Sequence, residues 1–314
     1  VTEGRTIEEL RRAHYNATVI GVRLVHEELM ILRVIPDAGV PRFRAGQYTT
    51  LGLGYWEPRV PDTQPEQLVE ADLSRVVRRA YSISFPLLDE AGRLISLEEC
   101  PFLEFYVVLV REAPGVPPAL TPRLFCLREG DRLHVGTKVV GSYTLASVTP
   151  RHDVVFLATG TGEAPHNAML AELLSSGHAG GIINAVCVRK RSDLGYLEAH
   201  RRLERLHGNY HYLVLTTREP ENLDPAQPGF VAKQYLQKLI ESDQIEQRLG
   251  HPLEPGRAQF FLCGNPAMIG IPSIDEEGRH VYPKPTGVVE LLERRGFRTG
   301  GHGQPGDIHF EKYW

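Results

Sequence analysis

The chain has 314 residues, of which 42% are hydrophobic and 24% charged, and a formal net charge of -4 at pH 7. That length suits two domains, each large enough for its own core, and the acidic balance argues against a general nucleic-acid binder. Its apolar runs, such as 102–110, are too short to span a bilayer, so no membrane insertion is expected. Cys100, Cys126, Cys187 and Cys263 fit neither a zinc nor an iron–sulfur spacing. No metal is therefore expected, and the thiols suit a reducing compartment. The opening VTEGRTIEELRR has no signal-peptide core, which makes the cytoplasm the expected location.

In chain order, the first predicted elements are strands at 16–25, 28–35, 47–53, 80–85, 103–111 and 131–137. They are rich in Val, Ile, Leu, Tyr and Thr, and mostly separated by Gly, Pro or Asp. With one short helical piece at 121–127, they suit a small six-stranded antiparallel β-barrel. The long stretch 55–74, with its prolines and acids, reads as a lid, a partner surface or disorder. After residue 148 the pattern changes. Continuous apolar runs at 153–158, 182–188, 210–216 and 259–263 suit strands covered on both faces. Helical stretches are predicted at 165–176, 196–206, 230–242 and 288–295. Strand–helix alternation implies an α/β doubly wound parallel sheet, with ligands at the carboxyl ends of its strands. The expected domains are 1–148 and 149–314.

Four short motifs carry the chemistry. On a barrel strand, Arg79 and Tyr81 share one face and Ser82 takes the other. A guanidinium suits a diphosphate, and an aromatic with a polar tip suits a flat ring. Next comes the loop ATGTGEAP at 158–165, after a buried strand and before a helix. Its Gly160 and Gly162 allow a close backbone approach, and the helix presents its positive end. Glu163 within it is a carboxylate that either influences the loop chemistry or turns to solvent. Third, Cys263-Gly264-Asn265-Pro266 closes the last apolar strand. Finally the chain stops on Tyr313-Trp314, an aromatic pair more suited to a docked tail than a fraying one. Arg189 and Arg218 follow predicted strands and so stand at carboxyl ends, where a nucleotide phosphate would lie.

These motifs, in this order and separation, resemble the ferredoxin–NADP(+) reductase family, and within it the bacterial type that ends in an aromatic pair. The resemblance covers nearly the whole chain. It implies an enzyme that moves electrons between NADPH and ferredoxin or flavodoxin through bound FAD, with the barrel holding FAD and the α/β domain holding NADP. It assigns Tyr81 to the isoalloxazine ring, Arg79 to the FAD diphosphate and Ser82 to flavin N5. Ala80, Phe105, Tyr106, Val107, Leu120, Thr121 and Thr161 are implied as further FAD contacts, as are Tyr313 and Trp314. The same resemblance gives NADP Gly160, Gly162, Arg189, Arg218, Gly264 and Asn265, with Tyr196 stacking on adenine. Cys263 borders the nicotinamide, and Glu163, where relatives usually carry an apolar residue, lies near the hydride path. Tyr81, Ser82, Cys263 and Glu163 are thus the expected catalytic set. One departure weakens the NADP assignment: the family's third basic residue, in a Gly-Arg pair, is here Gly229-Phe230, with Lys233 one turn on. An alternative is a reductase component serving an oxygenase, though these cysteines cannot supply the iron–sulfur domain such chains often carry.

Overall fold

The computed structural model describes residues 6–300 and 306–313. A short helix opens it, α1 (Ile7–His14), started by a capping box in which Thr6 and Glu9 satisfy each other's backbone N–H groups. Leu10 is its buried anchor. Six strands follow: β1 (Ala17–His26), β2 (Leu29–Pro36), β3 (Tyr48–Gly54), β4 (Val76–Ser82), β5 (Leu103–Val108) and β6 (Arg132–Val135). They form one antiparallel sheet in the order β4-β3-β6-β1-β2-β5. Its two edges meet at a single bridge, where Ser84 N–H donates to Glu104 O at 2.8 Å. The expected fourth strand began at residue 80. The observed one starts earlier and ends at Ser82, because Ser84 leaves β3 to make this closing bridge.

Alternation builds the barrel core. Leu103, Phe105 and Val107 of β5 pack inward with Met30, Leu32 and Val34 of β2 and Leu51 and Leu53 of β3. The helix α2 (Thr121–Leu124) is pinned by Arg123, which is 2% exposed. Its guanidinium meets Glu66 at 2.8 and 3.0 Å and Ala119 O at 2.6 Å. Glu66 also pairs with Arg59 at 3.1 Å. The stretch 55–74 is therefore an ordered loop clamped onto α2 by one carboxylate shared between two arginines.

The second half holds a parallel sheet of β7 (Asp153–Thr159), β8 (Ile182–Val188), β9 (Tyr210–Thr216) and β10 (Ala258–Gly264). The hairpin β11 (Ser273–Ile274) and β12 (His280–Val281) then precedes a fifth parallel strand, β13 (Ile308–Lys312). The strand order is β13-β10-β7-β8-β9. Helices α3 (Glu163–Ser175) and α4 (Leu197–Leu206) belong to one face. The other face is covered by helices Leu236–Glu241 and Val288–Arg294. A helix was expected over 230–242, but only its second half forms. Gly229 and Ala232 take positive φ (80° and 56°), and Gln234 donates its N–H to Thr216 O at 3.1 Å, so the segment runs along the end of β9 instead.

The two halves share a core. Ala45, Phe85 and Leu87 from the barrel side pack with Phe156, Met169, Leu203 and Tyr210. Each large apolar side chain buried there contributes ~1.5–3 kcal/mol, which holds the carboxyl ends of the parallel strands against the open seam of the barrel. No helix of the described residues is long and apolar enough to cross a membrane.

Candidate functional site

Three strand ends converge at the junction of the two sheets. Ser82 closes β4, Cys263 lies near the end of β10, and Glu311 lies near the end of β13. Ser82 Oγ donates to Glu311 Oε2 at 3.2 Å. Register explains the grouping: β10 and β13 run parallel with Cys263 opposite Glu311, and Tyr313 N–H then donates to Gly264 O at 3.0 Å. The Tyr313 side chain is hydrogen-bonded to both Ser82 and Cys263. Burial pushes the Cys263 thiol well above its usual range, and the Glu311 charge pushes the same way. The thiol is therefore held neutral and is no nucleophile. Burial also raises the Glu311 carboxyl, opposed by its bond to Ser82. Glu311 was not singled out in the sequence. Its signal lay in the alternation of Ile308, Phe310 and Lys312 against His309 and Glu311, readable only if the tail is taken as a strand.

The glycines of the loop have separable causes. Gly160 has φ +53° and open space around its Cβ position, so it is there for its backbone conformation. At Gly162 a Cβ would lie 2.3 Å from Cys263 O, so this glycine lets the turn Gly160–Gly162 touch the end of β10. Gly264 combines both, with φ +124° and a Cβ position 2.2 Å from Thr159 Oγ1. Thr159 Oγ1 also accepts the Asn265 N–H at 2.8 Å, and Asn265 Oδ1 caps the next short helix by accepting from Ala267 N–H at 2.8 Å. The loop and the Cys-Gly-Asn turn thus form one backbone floor, with Thr161 buried within it.

On the barrel side, Arg78, Arg79 and Ala80 are all exposed, leaving both faces of β4 open there. Among the described residues the Arg79 guanidinium bonds only its neighbour's carbonyl, Arg78 O, at 2.8 Å. Tyr81 is half-buried, edge-on to Phe105 with ring centroids 6.4 Å apart. Apart from the Ser84–Glu104 bridge, the facing edges of β4 and β5 have no strand partner among the described residues. Phe105 and Val107 point into the barrel core, and Tyr106 turns to the other domain, where it donates to Asp193 O at 2.7 Å. Glu104 O faces the seam and Leu109 N–H faces β2, so by alternation Tyr106 turns its backbone to the seam while Phe105 and Val107 turn theirs to β2. Leu120 is buried, and Thr121 Oγ1 accepts the Val110 N–H at 3.1 Å.

At the far end, Arg189 follows β8 directly and Arg218 follows β9 after Thr217. Their backbones touch, Arg218 N–H donating to Arg189 O at 2.8 Å. Both side chains are exposed. Neighbouring Arg191 is committed to Glu221. Lys233 and Tyr235 are also exposed, on the segment that Gln234 ties to the end of β9.

Two expected roles are corrected. Tyr196 is 4% exposed, and its hydroxyl bonds Glu104 Oε1 and Ser84 Oγ, both at 2.9 Å. It joins α4 to the barrel and has no face for an adenine; Phe230 and Tyr235 are exposed on the segment that Gln234 ties to the end of β9. Glu163 neither faces solvent nor reaches the Ser82–Cys263 cluster with its carboxylate. It is 1% exposed and accepts from the Tyr212 hydroxyl at 2.7 Å, with His200 Nε2 at 3.1 Å. Burial behind the loop, not at the junction, removes it from the catalytic set. Trp314 lies outside the described residues.

Residues 156–273 match the family model described as oxidoreductase NAD-binding domain. Over 233 residues the chain is 29% identical to the flavodoxin/ferredoxin–NADP reductase of Escherichia coli K12, covering 74% of this chain and 78% of that one. It is 26% identical to the ferredoxin–NADP reductase of Pseudomonas aeruginosa, covering 90% and 97%. The chain is thus similar to ferredoxin–NADP reductases over most of its length. Its fold is also that of a solved ferredoxin NADP+ reductase from Neisseria gonorrhoeae with bound FAD and NADP. That likeness has a TM-score of 0.67 at 20% identity and covers 95% of this chain and 97% of that one. Ser82, the glycine loop, Cys263 and Tyr313 thus meet at one junction between the two sheets, while Arg189 and Arg218 stand apart from it.

Proposed function

We propose that this reductase transfers electrons between NADPH and ferredoxin or flavodoxin through FAD. The barrel, up to about residue 148, would hold FAD, and the α/β domain would hold NADP(H). The observation that carries this reading is the junction of Ser82, Cys263, Glu311 and Tyr313, formed where an open barrel seam faces the carboxyl ends of a parallel sheet.

The residues at the seam fit FAD. Arg79 has a guanidinium without an ion pair among the described residues for the diphosphate, Tyr81 supplies an aromatic face, and the β4 and β5 edges offer backbone donors and acceptors to a ring system. FAD, when bound, takes up electrons in pairs from a nicotinamide and gives them up singly, which a nicotinamide cannot do. The protein's part is positioning and proton handling. Gly162 and Gly264 bring two backbone segments together as a floor for the nicotinamide end. Cys263 lines it as a small neutral thiol. Glu311 is partly exposed and bonded to Ser82, so the pair can carry a proton between water and the Ser82 hydroxyl. Arg189 and Arg218 stand ready for a 2′-phosphate, and Tyr235 supplies the aromatic for adenine.

For the protein partner, Arg42, Arg44 and Arg78 are exposed near the seam and hold no ion pair among the described residues. A second basic group is weaker, since Arg294 pairs with Glu290 and Arg295 with Glu246. An acidic carrier would dock on the first group. Heat release of the flavin and chromatography test the cofactor: FAD is expected, and FMN alone would refute the reading.

A further inference from the structure

Glu163 sits at a joint. Its backbone N–H donates to Gly160 O and Thr161 O and so closes the turn. Its side chain leaves in the opposite direction, into a buried polar cluster. Oε1 accepts from the Tyr212 hydroxyl at 2.7 Å and lies 3.1 Å from His200 Nε2. His200 Nδ1 is 2.8 Å from the Tyr210 hydroxyl, and the His200 ring stacks on Tyr212 with centroids 4.2 Å apart. Tyr210 and Tyr212 belong to β9, the strand that runs out to Thr216 and then Arg218. One residue therefore ties the glycine turn to the strand that carries the arginine pair.

An apolar side chain would fill this space without desolvating a carboxylate. It would also pack without direction, whereas hydrogen bonds fix both distance and angle. The carboxylate is favourably placed in the first turn of α3, where the helix dipole is positive.

We propose that Glu163 is a positioning residue that sets the spacing between the Gly160–Gly162 turn and the Arg189–Arg218 pair, so that a dinucleotide bearing a 2′-phosphate is gripped at both ends at once. The proposal rests on the NADP reading above. It distinguishes two ligands. Adenosine 2′,5′-bisphosphate reaches only the arginine end, while NADP+ spans both ends.

The test is calorimetric titration of the flavin-loaded enzyme with each ligand. Glu163→Leu removes the acceptor and should raise the Kd of NADP+ about tenfold, in line with the loss of one buried charged hydrogen bond. The Kd of the bisphosphate should stay unchanged. Glu163→Gln keeps an acceptor oxygen for Tyr212 and should stay near wild type. Tyr212→Phe deletes one hydroxyl and should reproduce the split at smaller size, even if Glu163→Leu folds poorly. Equal weakening of both ligands would mean a merely structural role and overturn the proposal. So would unchanged NADP+ binding by Glu163→Leu, or by Tyr212→Phe. Failure of the wild type to bind either ligand would instead refute the NADP reading itself, and the proposal with it.

Discussion

Arg218→Ala is expected to separate NADPH from NADH. Arg218 is exposed and makes no side-chain bond among the described residues, so its removal leaves no buried group unpaired and should not disturb the fold. What is lost is a charge-assisted hydrogen bond to the 2′-phosphate, worth about 1.5–3 kcal/mol. Water competes at an exposed site, so the lower half of that range applies. At about 1.4 kcal/mol per decade, the KM for NADPH should rise roughly tenfold to fortyfold. NADH lacks the phosphate and should be used as before. Arg189 is adjacent, the two backbones being bonded at 2.8 Å, so both guanidinium groups can reach one phosphate. The double variant should then lose less than the product of the two single losses, because the groups share a partner. Steady-state kinetics with both nucleotides on the four proteins provide the assay. A wild type that prefers NADH, or an Arg218→Ala variant that loses both substrates equally, would refute the reasoning.

The two loop glycines should respond differently to substitution. Gly162→Ala drives a Cβ to 2.3 Å from Cys263 O and should cost roughly 1–3 kcal/mol in thermal unfolding, whereas Gly160→Asn, with open space and φ +53°, should cost less. His166 is fully buried and its pKa is lowered to about 3 by desolvation, so the unfolded chain binds an extra proton below its ordinary value of 6.5. Stability should therefore be intact above that value and fall as pH drops toward about 3. At roughly 1.4 kcal/mol per unit the loss approaches about 5 kcal/mol, and His166→Gln should flatten the pH dependence of unfolding. Electron transfer to ferredoxin should slow as salt rises, since the Debye length shrinks from about 10 Å at 0.1 M to about 3 Å at 1 M. Reduction of ferricyanide should change less, and Arg78→Glu should remove most of the difference. Equal salt dependence of the two acceptors would exclude an electrostatic docking face.

Local patterns made much of the fold legible. The strands 182–188 and 210–216 are found at the predicted bounds, because continuous apolarity marks a strand covered on both faces. Helix α1 went unread although Thr6 and Glu9 spell a capping box. The strand β13 was hidden for another reason: its partner β10 lies far back in the chain, and a parallel edge strand has no turn beside it to announce it. Glu311 was missed with it. Tyr196 and Glu163 were misread because sequence position places a residue beside a site without saying which way its side chain turns. In both cases buried hydroxyls on other elements, Ser84 for Tyr196 and Tyr212 for Glu163, drew the side chain inward.

The central claim is tested most directly by a coupled assay on the purified, flavin-loaded enzyme under anaerobic conditions. NADPH should bleach the flavin band, and cytochrome c should then be reduced rapidly only when ferredoxin or flavodoxin is added. A flavin that NADPH leaves oxidised, or cytochrome reduction that proceeds equally without either carrier protein, would contradict the account.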